Sequence, residues 1–263
     1  MRRVYVAGFA LGACLAVLAP AAQAQAPAAA SAPAAQAAAT PAVDPQAVAA
    51  LTRMGAYLRS LKAFQVESST TDEDVLDDGQ KIESASTINF LAQMPDRLRV
   101  SQSNDRVERL YLYDGKHVTL LAQRMNMYAT VPAPPTTRQV IDLLYDKYGI
   151  DVPLVDLFLW GAPGWTPAAI TGAMLVGPSV VGGTTCDQYA FRQDEVDYQV
   201  WIQKGDFPLP RRVVITTKTD EARPQHTASF TWNLAPSFNE GAFVLDPPAG
   251  AQRVVLAELP ITK

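Results

Sequence analysis

Between residues 63 and 234 the sequence is a succession of short runs rich in β-branched and aromatic residues, punctuated by tight-turn signals. Asp77-Asp78-Gly79, Asp114-Gly115, Gly182-Gly183, Asp194-Glu195 and Lys204-Gly205-Asp206 supply the turns. Asp-Gly and Gly-Gly tolerate the positive φ that tight hairpins need, so each run folds back on its neighbour. Connections this short cannot hold the crossover a parallel pair requires. The chain is therefore expected to build an antiparallel meander of about ten strands. Residues 197–217 show the pattern best. Tyr198, Val200 and Ile202 alternate with Asp197, Gln199 and Gln203, and Pro208-Leu209-Pro210 leads into the next strand. Trp201 places a large ring on the otherwise polar face. A sheet with rings on both faces has something to cover on both sides, which points to a binding sheet rather than a catalytic centre.

Two segments depart from the period of two. Asp44-Pro45 is a helix start, an N-cap acid followed by Pro at the first helical position. Val48, Leu51, Met54, Tyr57, Leu58 and Leu61 then share one helical face, and the helix should end near Ser60. In mid-chain, Pro132, Pro134 and Pro135 break the sheet. Thr136 or Thr137 then caps a helix carrying Val140, Ile141, Leu143, Leu144 and Tyr148, closed by Gly149. Residues 153–160 read as a further short helix with Leu154, Leu157 and Phe158 on one face. The Gly/Pro loop 161–167 carries Trp165 beside Trp160, an arrangement suited to a lid over an apolar cavity. The apolar faces of these helices need a partner, and the sheet is the large surface available.

The N-terminus reads as a secretory signal peptide over residues 1–24: Met1-Arg2-Arg3, an apolar run of about 15 residues, then Ala-x-Ala sites at 22–24 and 24–26. The run is short of the roughly 20 residues that span a bilayer. Leu11-Gly12-Ala13-Cys14 resembles a lipobox, which would anchor the protein through Cys14, but the apolar run continues past it through Leu15, Val17 and Leu18. Residues 25–43 are Ala, Pro, Gln, Ser and Thr with few apolar anchors, a composition expected of a disordered linker. Residues 44–263 are left as the folded domain. Removing the signal lowers Lys plus Arg from 22 to 20 against 26 Asp plus Glu, a net charge of −6. Such an acidic domain is a poor nucleic-acid binder. Cys186 is then the only cysteine, so stability comes from the core rather than from disulfides.

Chemical motifs are few. Two histidines, His117 and His226, and the lone thiol give no zinc-ligand spacing, so no metal and no cofactor are expected. There is no GxSxG, GxGxxG or P-loop. Asp72, Glu73, Asp74, Asp77 and Asp78 cluster round one hairpin, but their spacing is not that of an EF-hand loop. Aromatic and large apolar residues carry more signal. The candidate cavity or lid set is Phe90, Tyr113, Tyr128, Leu144, Leu157, Phe158, Trp160, Trp165, Trp201 and Trp232.

Tyr113-Asp114-Gly115-Lys116, Tyr128-Ala129, Val131-Pro132-Ala133-Pro134, Tyr148-Gly149-Ile150 and Pro153-Leu154-Val155-Asp156 resemble the first half of a family of predicted periplasmic proteins of unknown function. Trp201-Ile202, Gly205-Asp206, Pro208-Leu209-Pro210-Arg211, Trp232-Asn233-Leu234, Phe243 and Pro247-Pro248-Ala249-Gly250-Ala251 continue the resemblance to near the C-terminus. The family is similar to the lipoprotein-carrier superfamily of LolA, LolB and RseB. That resemblance implies an α+β fold, a LolA-like incomplete antiparallel β-barrel enclosing the N-terminal helix and the central helical insertion. It implies a periplasmic protein without catalytic residues. Its hydrophobic ligand, a lipid, acyl chain or lipidated partner, would sit in an apolar half-barrel, with transient membrane association. The alternatives are an RseB-like envelope-stress regulator acting by protein contact and, with His117 or His226 as base, a hydrolase.

Overall fold

A computed structural model of the chain describes residues 42–154 and 167–259, all within the unit Thr40–Lys263. The chain runs α1 (Pro45–Ser60), β1 (Ala63–Val75), β2 (Lys81–Gln93), β3 (Arg97–Ser103), β4 (Glu108–Tyr113), β5 (His117–Ala122), β6 (Met127–Pro132) and α2 (Thr137–Tyr148). It continues with β7 (Gly172–Val181), β8 (Thr184–Arg192), β9 (Val196–Gln203), β10 (Pro210–Thr217), β11 (Gln225–Asn233) and β12 (Gln252–Arg253). The strands form one sheet in the order β12-β6-β5-β4-β3-β2-β1-β11-β10-β9-β8-β7. Its ends, β12 and β7, do not pair, so the α+β barrel is incomplete.

The antiparallel register places side chains in rows across the strands. One inner row is Val118–Tyr113–Leu98–Ala92–Phe64. The next is Leu120–Tyr111–Val100–Phe90–Val66–Trp232. These rows are filled with large side chains, and Phe64 stacks on Phe90 at 5.8 Å. On α1, Ala47, Ala50, Leu51, Met54 and Leu58 are buried in the same core. Each fully buried large side chain of this kind contributes roughly 1.5–3 kcal/mol.

The helix crosses the inner face from one sheet edge toward the middle. At its start, Asp44 caps Gln46 N at 2.8 Å, and Asp44 N donates to Ala173 O on β7 at 3.0 Å. At its end, Met94 N donates to Lys62 O at 2.7 Å, beside the β1–β2 pair. Ala42 and Val43 were expected to belong to a disordered linker. Instead Val43 bridges Ala173 in parallel, and Ala173 N donates to Ala42 O at 3.3 Å.

α2 is fixed at both ends. Thr137 donates twice to Pro95 O, from its N–H at 2.7 Å and its Oγ1 at 2.8 Å. Gly149 closes the helix at φ 64°, where a Cβ would also lie 3.3 Å from Leu259. Val140 and Leu144 face the core.

Three expectations change. There are twelve strands rather than about ten, and one addition is β12, a two-residue strand parallel to β6 at Met127 and Tyr128. A turn at residues 248–251, with Gly250 at φ 75° and Ala251 N donating to Pro248 O at 3.0 Å, leads into it, and it is held by Gln252 N to Asn126 O and Val254 N to Tyr128 O. β10 begins at Pro210, within the Pro208-Leu209-Pro210 entrance, with Leu209 buried and an irregularity in its pairing between Pro210 and Arg212. Of the helix expected over residues 153–160, Pro153 and Leu154 form a turn, with Leu154 at φ 67°, and the rest lies outside the described residues.

Candidate functional site

Beyond the rows of large side chains the inner face is built from small ones. Ser68 pairs with Ile88 and Phe230, and Thr70 with Ser86 and Ala228. On the far side Ala122 takes the equivalent place on β5, opposite Arg109 and Met127. Small side chains leave volume that α1 does not fill. The result is a cavity of about 960 Å³. That is near the upper end of small-molecule sites.

Its walls are Ile88, Tyr111, Leu120, Val213, Ile215, Ala228 and Phe230 from the sheet, with Ile150, Val152 and Leu154 from the segment after α2. Val254 and Leu256, beyond β12, complete it. The Ser68 hydroxyl is fully buried between two wall residues and has no hydrogen-bond partner among the described residues.

Polar groups also line the cavity. His226 Nδ1 meets Asp72 Oδ1 at 2.5 Å across β11 and β1. Arg109 and Gln102 are cross-strand neighbours in the row that contains Ile88 and Ser68. Asp151 follows α2. Arg109 and Asp151 are exposed and make no ion pair among the described residues.

The expected site residues divide by strand parity. Phe90, Tyr113, Leu144 and Trp232 face the core, but they lie in its packed half and do not line the cavity. Tyr113 Oη donates to Pro134 O at 2.6 Å, and burial pushes its phenol pKa up. Trp232 Nε1 donates to Pro210 O at 2.8 Å, with its ring 5.8 Å from Phe64. Tyr128 borders the cavity, but it is out of phase with the inner face and packs against a separate cluster of Leu110, Leu112 and Leu121 that Leu245 covers. Trp201 is also on the outer face. Its register partner Arg212 lies over the ring at 5.3 Å, while Tyr198, Val200 and Ile202 are buried on the inner face. Leu157, Phe158, Trp160 and Trp165, and with them the expected lid, lie outside the described residues.

The sequence reading missed Thr70, Ala122 and Ala228 because small or polar residues do not look like cavity walls. The signal was the phase of alternation. Phe64 and Val66 point inward, so Ser68, Thr70 and Asp72 must follow them.

The titratable groups show little of an acid–base constellation. His117 is half-exposed on the outer face, with its ring nitrogen 3.8 Å from Asp114. Burial opposes ionisation of Asp114, but backbone donors at His117 (2.7 Å) and Lys116 (2.8 Å) outweigh it and hold the carboxyl pKa below its usual value. Around His226 the cross-strand order is Ser84–Asp72–His226, with the carboxylate in the middle. A nucleophile–base–acid relay needs the imidazole there. Burial pushes the Cys186 thiol pKa up, which disfavours the reactive thiolate. The acidic hairpin is divided: Asp72 is held by His226, while Glu73 accepts from Lys81 Nζ at 2.9 Å and Gln225 N at 2.8 Å.

No curated protein matches the sequence. Among solved structures the chain is similar to an uncharacterized conserved protein from Thermus thermophilus, at 14% identity over 80% of this chain and 99% of that one, with a TM-score of 0.44. It is similar to a chain of the MucA/MucB complex from Pseudomonas aeruginosa, at 14% identity over 73% and 59%, TM-score 0.40. A LolA superfamily protein from Nitrosomonas europaea matches at 8% identity over 76% and 98%, TM-score 0.36. Residues 47–257 match the sequence model of a family described as a predicted periplasmic protein, DUF2092, and the chain belongs to that family.

Proposed function

We propose that this protein is a non-enzymatic binding protein of the periplasm that holds a lipid or acyl chain in its half-barrel. The cavity of about 960 Å³ with its apolar walls carries this reading. Burying acyl methylenes at roughly 0.8 kcal/mol each would supply affinity without a dense set of polar contacts. The Ser84–Asp72–His226 order supports a binding role over hydrolysis. Native mass spectrometry of protein purified from the periplasm tests the proposal. A co-purified lipid released on denaturation supports it. Protein that emerges empty and takes up no acyl amphiphile on addition refutes it.

A second reading, regulation by protein contact, has its own observation. β7 is the terminal strand of the sheet, and Met174, Leu175, Val176 and Val180 on it are exposed. An uncharged apolar edge is a template for strand addition. Capture of an envelope protein by the empty form, lost on placing Lys at Leu175, would favour it.

A further inference from the structure

The charges lining the cavity are unevenly satisfied. Asp72 and His226 hold each other. Arg109, on β4, and Asp151, after α2, line the same cavity, and neither has an ion-pair partner among the described residues. Gln102, the cross-strand neighbour of Arg109, brings an amide to the same row. A guanidinium and a carboxylate without ion-pair partners among the described residues, on a largely apolar chamber, form a complement to a head that carries both signs.

We infer that the ligand is an acyl amphiphile with a zwitterionic phosphate–ammonium head. Arg109 receives the phosphate, for which its planar donor fork is suited, with Gln102 as a second donor. Asp151 receives the ammonium. The acyl chain enters the space left by the small side chains of β1, β5 and β11. This inference rests on the cavity reading. It adds a selection among heads that apolar walls cannot make. Both charged groups are exposed, so each contact is screened and modest, and the selectivity falls as salt rises.

The test compares three amphiphiles of one acyl chain: lysophosphatidylethanolamine, lysophosphatidylglycerol and the uncharged monoacylglycerol. Affinities are measured by calorimetry on the full mature protein. The expected order is ethanolamine head first, glycerol phosphate second, uncharged head last. Arg109→Gln should weaken both phosphate-headed ligands about fivefold and leave monoacylglycerol unchanged. Asp151→Asn should weaken only the ethanolamine-headed ligand, again about fivefold, and leave the phosphatidylglycerol analogue equal or tighter. Equal binding of all three, insensitive to both substitutions, overturns the headgroup assignment while the cavity reading stands. If none of the three binds, the uncharged one included, the cavity reading falls and this inference with it. Both positions are exposed, and unchanged circular dichroism melting establishes that each variant is folded.

Discussion

Filling the chamber from one wall is the most direct perturbation. Ala122 ends β5, is partly buried, and faces inward between Arg109 and Met127. Ala122→Leu adds three carbons to a wall of the cavity. If they take space otherwise occupied by three acyl methylenes, the loss is about 2.4 kcal/mol at roughly 0.8 kcal/mol per methylene. That is about a 50-fold weaker Kd. Displacement of a polarity-sensitive fluorophore by monoacylglycerol reads the affinity, and urea unfolding reads the stability. The chamber has room, so stability should stay within about 1 kcal/mol of wild type, whereas overpacking a filled core costs about 1–3 kcal/mol. A folded variant that binds within threefold of wild type would refute the reasoning, because the ligand would then not be using this wall.

Other outcomes follow from the packed half and the outer face. Leu51 on α1 is fully buried, and Leu51→Ala should cost about 3 kcal/mol or more in urea unfolding; a loss under about 1 kcal/mol would mean the helix does not pack as described. Trp201→Ala removes an outer-face ring over which Arg212 lies, so it should cost about 0.5–1 kcal/mol of stability and leave ligand affinity within twofold, as read by the same displacement assay. Asp114 has a lowered folded pKa, so its contribution is present above the unfolded value and fades as pH falls through the folded one. Stability measured below about pH 4 should therefore drop less in Asp114→Asn than in the wild type, and an identical acid slope in the two proteins would contradict this.

The strands were legible because their turns are chemically explicit, and α1 because Asp44-Pro45 marks its start and Ser60 its expected end. The site was less legible. Bulky rings were expected to mark a cavity, yet Phe90, Tyr113 and Trp232 mark where space is filled. A chamber needs the opposite composition, and Thr70, Ala122 and Ala228 look like ordinary sheet residues until the inward phase is carried along β1, β5 and β11. Trp201 and Tyr128 illustrate the same point from outside. Each sits one position out of phase with the inner face, Tyr128 against the Leu110, Leu112 and Leu121 cluster and Trp201 beneath Arg212. β12 was hidden because its partner strand, not its own pattern, makes it extended.

The two ends of the sheet differ in what they permit. At one end the two residues of β12 occupy the open side of β6, with Val254 continuing the hydrogen bonding. At the other, among the described residues, the outer edge of β7 is met by residues 42–44 near its start, and its remaining length carries no charged residue. Among the described residues β6 therefore keeps an uncovered edge only over residues 129–132, while most of the ten-residue β7 is uncovered, so main-chain addition has more room at the β7 end than at the β6 end.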